Sequence, residues 1–536
     1  MPVKIVYRIL RKISDWTLAG FYSEVSVEGQ SNVPLGGPLL LTPCHHNEII
    51  DIATLSVTVP HRRSISYWAK ASMFANPLSR QIMFSAGALP VDRAKKNREA
   101  GSSSITSDSL KLHRSTFESL ASEQAVAIFP EGTSYTEPRI VQVKEGAARV
   151  ALEYAQWCRE TSQGKNSTER IIIVPVGIVY TDKSTYRSRV AVEYGEPIVI
   201  DNYIDGFCSL DAEESRGAVR QLCGRIEERM KHLTINAPDW PSLYSSRMAL
   251  DILRPEGSQV PLRNFRRISQ RLVDIFTGTE IPEDVKASLL EYHALLSHAG
   301  LSHAELSVIS STTEVPIPTC SSVLVSLQWE LFRAMLYFPL FSPALLAHVP
   351  AYILGSVSAT KLAPKYVEAR AQFKAIFGGI GIAIGCGSMG WGIWRWIKSS
   401  ILDNSLGTNF SDYSFIQDVL GIFGLAWAMC LWHNRLIDAN LKIYRRLRAS
   451  LMVLRGLMRP VSSDITEERL APYLTMPLPA FNPYVKNSSV SEEQRRNEVK
   501  APRIPSSRLI RHILRARQDA MGKLSSVEDK LEQSFL

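Results

Sequence analysis

The run Cys44-His45-His46-Asn47-Glu48-Ile49-Ile50-Asp51 sets two imidazoles a few positions ahead of a carboxylate, just after the apolar stretch Leu39-Leu40-Leu41. An imidazole acts as a general base when an acceptor holds its other nitrogen, because that partner fixes the tautomer and stabilises the imidazolium that forms. His46 and Asp51, separated by Asn47, Glu48, Ile49 and Ile50, are the candidate pair. On one ideal helix five positions correspond to roughly 500° of rotation, so the two would not share a face. His46 is therefore expected in a loop, Asp51 in the first turns of the next helix, and Asn47 at its N-cap. A His and an Asp at this spacing also occur by chance, so the pair needs support from elsewhere in the chain. Cys44 beside a His is a weaker candidate nucleophile, since adjacent side chains of an extended segment point to opposite faces.

Three further blocks supply that support: Gly87-Ala88-Leu89-Pro90-Val91-Asp92-Arg93, Phe129-Pro130-Glu131-Gly132-Thr133-Ser134 and Ile173-Val174-Pro175-Val176-Gly177-Ile178. With the first block, and in this order, they resemble the four motifs of the PlsC-type glycerolipid acyltransferases. Ala69-Lys70-Ala71-Ser72-Met73-Phe74 and the long apolar C-terminal part bring the fungal glycerol-3-phosphate and dihydroxyacetone-phosphate acyltransferases nearest. The resemblance implies an α/β domain, a mixed sheet covered by helices. It implies transfer of an acyl group from a long-chain acyl-CoA to a hydroxyl of glycerol 3-phosphate or a related phosphorylated acceptor. His46 would take the hydroxyl proton, supported by Asp51, a contribution of ~10²–10⁴-fold. Arg93 would grip the phosphate, because guanidinium binds it bidentately. Glu131 would engage the acceptor or hold Arg93. Gly132 would let the backbone approach a ligand, and Thr133 offers a hydroxyl and an N–H. Val174, Pro175, Val176 and Gly177 would lie near the acyl chain, although such a run reads first as a core strand. Acyl-CoA enters as co-substrate, so no cofactor is implied, and the sequence shows no metal-ligand spacing.

The elements that must position these residues alternate. Residues 38–42, 64–69, 125–129, 170–180 and 188–194 read as strands, with helical stretches between them, which argues α/β. The segment 94–107 is polar, basic and serine-rich and reads as a loop. The expected organisation is an amphipathic helix over 1–24, the acyltransferase domain over 25–211 and a helical extension over 212–330. A membrane region follows over 331–459, and a mostly disordered basic tail over 460–536. In the first helix Ile5, Ile9, Ile13 and Trp16 are interleaved with Lys4, Arg8, Arg11 and Lys12, a pattern suited to a membrane interface.

The formal net charge is +9. No aromatic interleaving accompanies the basic residues, so anionic substrates and a membrane surface fit better than nucleic acid. Seven scattered cysteines without paired spacing suggest reduced thiols. Residues 375–397 and 415–433 are long and apolar enough to cross a ~30 Å hydrocarbon layer. Basic residues before and after them place both ends in the cytosol, with the 398–414 loop and its Asn409-Phe410-Ser411 sequon in the lumen. The stretch 331–358 is interrupted by Pro339, Pro343 and Pro350 and is expected to be re-entrant or interfacial.

Function is expected at the endoplasmic reticulum membrane or a lipid droplet, with the catalytic domain cytosolic. The favoured reaction is acylation of glycerol 3-phosphate to lysophosphatidate, with dihydroxyacetone phosphate as a second acceptor. A lysophosphatidate acyltransferase is the nearest alternative. A non-catalytic membrane-shaping protein is the alternative of a different class, against which the intact His46, Asp51, Arg93 and Glu131 stand. A hydrolase lacks its Gly-x-Ser-x-Gly elbow.

Overall fold

The computed structural model describes residues 5–91, 107–161, 170–254, 258–309, 317–402, 414–496, 501–528 and 531. The chain divides into two compact units, the first made of Met1–Asn236, Pro261–Gln270 and Phe481–Ser489 and the second of Ala237–Val260, Arg271–Ala480 and Val490–Leu536.

The first unit is built on a mixed sheet of β1 (Glu24–Glu28), β2 (Leu39–Pro43), β3 (Ile65–Lys70), β4 (Ala88–Val91), β5 (Ala125–Ala127), β6 (Ile172–Tyr180), β7 (Arg189–Tyr194) and β8 (Ile198–Val199). Their order is β1-β7-β6-β2-β5-β3-β4, with β8 also beside β6. β2 runs parallel to β5 and β6, and β3 parallel to β4 and β5, while β7 and β8 return antiparallel to β6. Leu39–Leu41 and Ala125–Ala127 are fully buried. Central parallel strands covered on both faces need no polar alternation, which is why they read as unbroken apolar runs. Pro175 sits in β6 without an N–H, at the point where β8 pairing at Ile173 gives way to β7 pairing at Val176. That is a place where a missing donor costs little.

The five expected strands are present within a few residues, and β1, β4 and β8 were not foreseen. The expected boundary at 211 falls too early. Helix Ala212–His232 buries Val219, Leu222, Ile226 and Met230 and belongs to the first unit. A Cβ at Gly177 would collide with the carbonyl of Leu233, so the close approach of this segment to β6 depends on the glycine. The N-terminal helix Ile5–Phe21 packs through Tyr7, Leu18 and Phe21, which are buried, while Ile5, Ile9, Ile13 and Trp16, the residues expected at a membrane interface, remain exposed.

In the second unit three helices are long and apolar enough to cross a membrane: Cys320–Leu362, Val367–Ser400 and Phe415–Leu457. In the first, the chain stays helical through Pro339, Pro343 and Pro350. Neighbouring helices can compensate prolines in this way. The sequon Asn409-Phe410-Ser411 lies outside the described residues.

The disordered tail is also corrected. Helix Ile510–Ser525 buries Ile510, Ile513, Leu514, Ala520 and Leu524. Arg511 bonds both Asp464 oxygens at 2.9 and 3.0 Å and the carbonyl of Leu457 at 2.9 Å. The alternation of basic and apolar residues here is the amphipathic face of a docked helix. Trypsin should therefore spare Arg511, Arg515 and Arg517 in the native protein and cut there once Leu514→Asp breaks the face. Equal cleavage in both proteins would restore the disordered tail.

Candidate active site

Parallel strands β2, β5 and β6 end at one edge of the sheet, and the loops that leave them meet there. β2 delivers Cys44 to Asn47, β5 delivers Phe129 to Ser134, and β6 ends on Tyr180. β4 reaches the same edge through its parallel pairing with β3. Arg93 follows it and lies, with Lys95 and Lys96, outside the described residues.

Asp51 is the centre of the arrangement. It is fully buried one turn into the helix Glu48–Thr58. Its Oδ2 accepts the backbone N–H of Asn47 at 2.6 Å and the Nδ1–H of His45 at 3.0 Å. Its Oδ1 accepts the hydroxyl of Tyr180 at 2.6 Å. Burial works against the charge, but the bonds from His45, Tyr180 and Asn47 outweigh it and hold the carboxyl below its usual range. An ionised carboxylate only accepts, so Nδ1 of His45 carries the proton and Nε2 keeps the lone pair.

The expected His46–Asp51 pair is therefore replaced by His45–Asp51. Successive side chains of the extended segment leaving β2 diverge, so only one imidazole can face Asp51. The chain then turns sharply, with Glu48 at φ 44°, into the helix that carries the carboxylate. Nδ1 of His46 is buried with no hydrogen-bond partner among the described residues. Its ring stands edge-on to Tyr135, with centroids 6.5 Å apart. Burial and the nearby Lys183 pull its pKa down to about 3, so it is uncharged at neutral pH. Asn47 occupies the N-cap position, but its side chain caps nothing: Nδ2 donates instead to the carbonyl of Lys183 at 3.0 Å. Cys44 is fully buried, its Sγ accepting the N–H of Ile178 at 3.0 Å. Burial and the neighbouring Glu131 raise its pKa well above the usual thiol value, so it is a packing residue.

Glu131 belongs to the same cluster. It is fully buried, and Oε1 accepts the backbone N–H of His45 at 2.5 Å. Burial pushes its carboxyl up to about 7, against the pull of Tyr135 and the His45 N–H. In this structure Glu131 thus fixes the loop that presents His45. Gly132 has φ 74°, and a Cβ there would run into the side chain of Lys144. The glycine both permits the turn and brings an ammonium chain against the loop. Thr133 is half-buried, with Oγ1 donating to the carbonyl of Ser134 over a long 3.5 Å. The loop is held from outside by Phe481–Ser489: Asn482 Nδ2 donates to the Ser134 carbonyl at 3.0 Å and Ser488 to Glu137 at 2.6 Å. Val174 and Val176 are fully buried and, with Pro175 and Gly177, form a core strand rather than an open surface.

Sequence reasoning missed His45, Tyr180, Lys144 and Lys183. The one available signal was Tyr180 itself, a polar-tipped residue closing an otherwise apolar strand. Lys144 and Lys183 become visible only when strand order is known.

A family model described as Acyltransferase matches residues 24–179. Glycerol-3-phosphate O-acyltransferase 2 of Saccharomyces cerevisiae is 27% identical over 261 residues, 48% of this chain and 33% of that protein. Glycerol-3-phosphate O-acyltransferase 1 of the same yeast is 26% identical over 194 residues, 35% of this chain and 24% of that protein. The chain thus spans about a third or less of the length of these relatives. The solved PlsC 1-acyl-sn-glycerophosphate acyltransferase of Thermotoga maritima aligns with a TM-score of 0.28 and 19% identity, covering 41% of this chain and 78% of that one. Strands β1 to β5, and with them His45, Asp51 and Glu131, lie within the matched residues, so this part of the chain matches the PlsC-type acyltransferase family.

Proposed function

We propose that the protein transfers an acyl group from long-chain acyl-CoA to glycerol 3-phosphate, giving lysophosphatidate, with dihydroxyacetone phosphate as a second acceptor. The observation that carries this reading is the buried Asp51 holding Nδ1 of His45 at 3.0 Å, at the sheet edge where the first and third motifs meet. The kinship with two yeast glycerol-3-phosphate O-acyltransferases supports the choice of acceptor.

His45 Nε2 takes the proton of the acceptor hydroxyl as its oxygen attacks the thioester carbonyl. The tetrahedral intermediate collapses, the C–S bond breaks, and the imidazolium returns the proton to the departing coenzyme A thiolate. Asp51 stabilises the imidazolium in between. No enzyme-bound acyl group is needed. Arg93, following β4, is the first candidate for the acceptor phosphate, and Lys144, lying against Gly132, is the second.

An amphiphilic product suits a catalytic unit tethered to a bilayer, and the reading places the protein at the endoplasmic reticulum membrane with its active site cytosolic. Phe481–Ser489, which follows the third apolar helix, belongs to the first unit and bonds the loop after β5, which supports an even number of crossings. Glu330, early in the first apolar helix, pairs with Arg446, late in the third, at 3.4 Å, which supports their lying at the same end. Two full spans, with the proline-bearing helix dipping in without crossing, satisfy both.

The two imidazoles give the decisive test. With oleoyl-CoA and glycerol 3-phosphate, His45→Ala should lower kcat by about 10²–10⁴-fold, while His46→Ala keeps most of the activity. The opposite ranking would return the base to His46. Loss in neither would remove the enzymatic reading. Activity confined to lysophosphatidate as acceptor would keep the chemistry and change the step.

Glu131 makes a second, independent prediction. Its pKa is about 7 in the folded chain and near 4.5 unfolded. The folded state therefore binds the extra proton, and its stabilising contribution is present below pH 4.5 and is lost as pH rises through 7. Glu131→Gln keeps the acceptor for the His45 N–H but has no charge to bury. It should raise stability at pH 8 by about 3 kcal/mol and leave it unchanged near pH 4.5. Thermal unfolding with equal effects at both pH values would contradict this.

A further inference from the structure

The three apolar helices meet at a cluster that the acyltransferase chemistry does not use. His348 of Cys320–Leu362, Cys386 of Val367–Ile397 and Cys430 of Ser414–Leu457 place one donor atom each within 4.8 Å of one another. His348 and Cys386 are buried and Cys430 partly so. Around them lie Ala347, Met429, Ile382, Met389, Ile393 and Ala426, an apolar shell. Neutral thiols are at ease in such surroundings; what singles the cluster out is the convergence of three metal-ligating atoms.

The local geometry is that of a ligand set. Nδ1 of His348 lies 2.7 Å from the carbonyl of Ala344, which can only accept, so Nδ1 carries the proton. Nε2 is left with its lone pair, 3.9 Å from Cys386 Sγ. A nitrogen and a sulfur sharing a tetrahedral zinc ion, with bonds of about 2.05 and 2.3 Å, stand roughly 3.6 Å apart. The separation therefore needs to close by only a few tenths of an ångström. A ring N–H held by a backbone carbonyl is the usual outer support of a metal-bound histidine. His433 stacks on His348 with centroids 3.8 Å apart and receives the Tyr352 hydroxyl at Nε2 over 2.8 Å, forming a wall of the site. The close approach is built in: a Cβ on Gly385, next to Cys386, would collide with the carbonyl of Ala347, next to His348.

We infer that His348 Nε2, Cys386 Sγ and Cys430 Sγ bind a zinc ion that staples the three apolar helices. Charge favours a divalent ion, and two thiolates with an imidazole suit zinc among these. Zn²⁺ with two thiolates and a neutral imidazole sums to zero, which an apolar bundle tolerates, whereas Cu⁺ with the same ligands would bury a negative charge. Binding displaces two thiol protons to solvent and leaves oxidation states unchanged. Three protein donors leave a fourth tetrahedral position. Sequence spacing could not show this set, because His348 and Cys386 are 38 positions apart and on different helices.

The test uses the full chain in detergent, dialysed against metal-free buffer. Elemental analysis should find one zinc ion per chain, falling at least about tenfold in Cys386→Ser/Cys430→Ser and unchanged in Cys208→Ser, whose thiol is exposed. Co²⁺ loading of the wild type should give thiolate-to-cobalt charge-transfer absorption, a readout that needs no variant to fold. Background zinc with no such absorption would overturn the inference. So would zinc content unaffected by the double substitution, or a Cys386–Cys430 disulfide in the unreduced protein.

Discussion

The buried carboxylate of Asp51 is the constraint from which the candidate site is organised. A fully desolvated charge survives only when its lone pairs are taken by good donors. Here those donors come from three places in the chain: the imidazole of His45, the backbone of Asn47 and the hydroxyl of Tyr180. Together they lock the loop after β2, the first turn of the helix Glu48–Thr58 and the end of β6 to one another. The His45 tautomer, and hence the nitrogen available to a substrate, follows from Asp51 being able only to accept. Glu131 completes the frame from β5 by gripping the His45 backbone, at the cost of a carboxyl whose proton affinity is raised by its burial.

Strand order explains why residues far apart in sequence share one edge. β2 lies between β5 and β6 and parallel to both, so three loops leave in the same direction. The apolar runs Leu39–Leu41, Ala125–Ala127 and Ile173–Ile178 can lie so deep because both sheet faces are covered. Gly177 and Gly132 do opposite work: one allows a backbone to press against the sheet, the other turns the loop and admits Lys144.

Much of this was legible in the residues. The α/β class and the five main strands follow from apolar runs, and the grouping of the first and third motifs in one site from the family resemblance. The choice between two adjacent histidines did not, because spacing counts positions while the hydrogen bond depends on which face of the extended segment meets the helix. Tyr180 was hidden in a strand that periodicity reads as core. Beyond residue 460, proline and serine suggested disorder, yet Leu514 and Arg511 lie in a docked helix; composition cannot see the partner surface that buries it. The prolines of the first apolar helix likewise argued for a break that its neighbours make unnecessary. The Cys386–Cys430–His348 cluster is a product of helix packing alone.

The proposed catalysis depends on Asp51 orienting His45, and steady-state kinetics of purified wild-type and Asp51→Asn protein with glycerol 3-phosphate tests this most directly. Asparagine fills the same space but can hold the imidazole in the wrong tautomer and does not stabilise its charge. A fall in kcat of about 10²–10⁴-fold with KM for glycerol 3-phosphate nearly unchanged is the predicted result. An Asp51→Asn enzyme that turns over at the wild-type rate would contradict it.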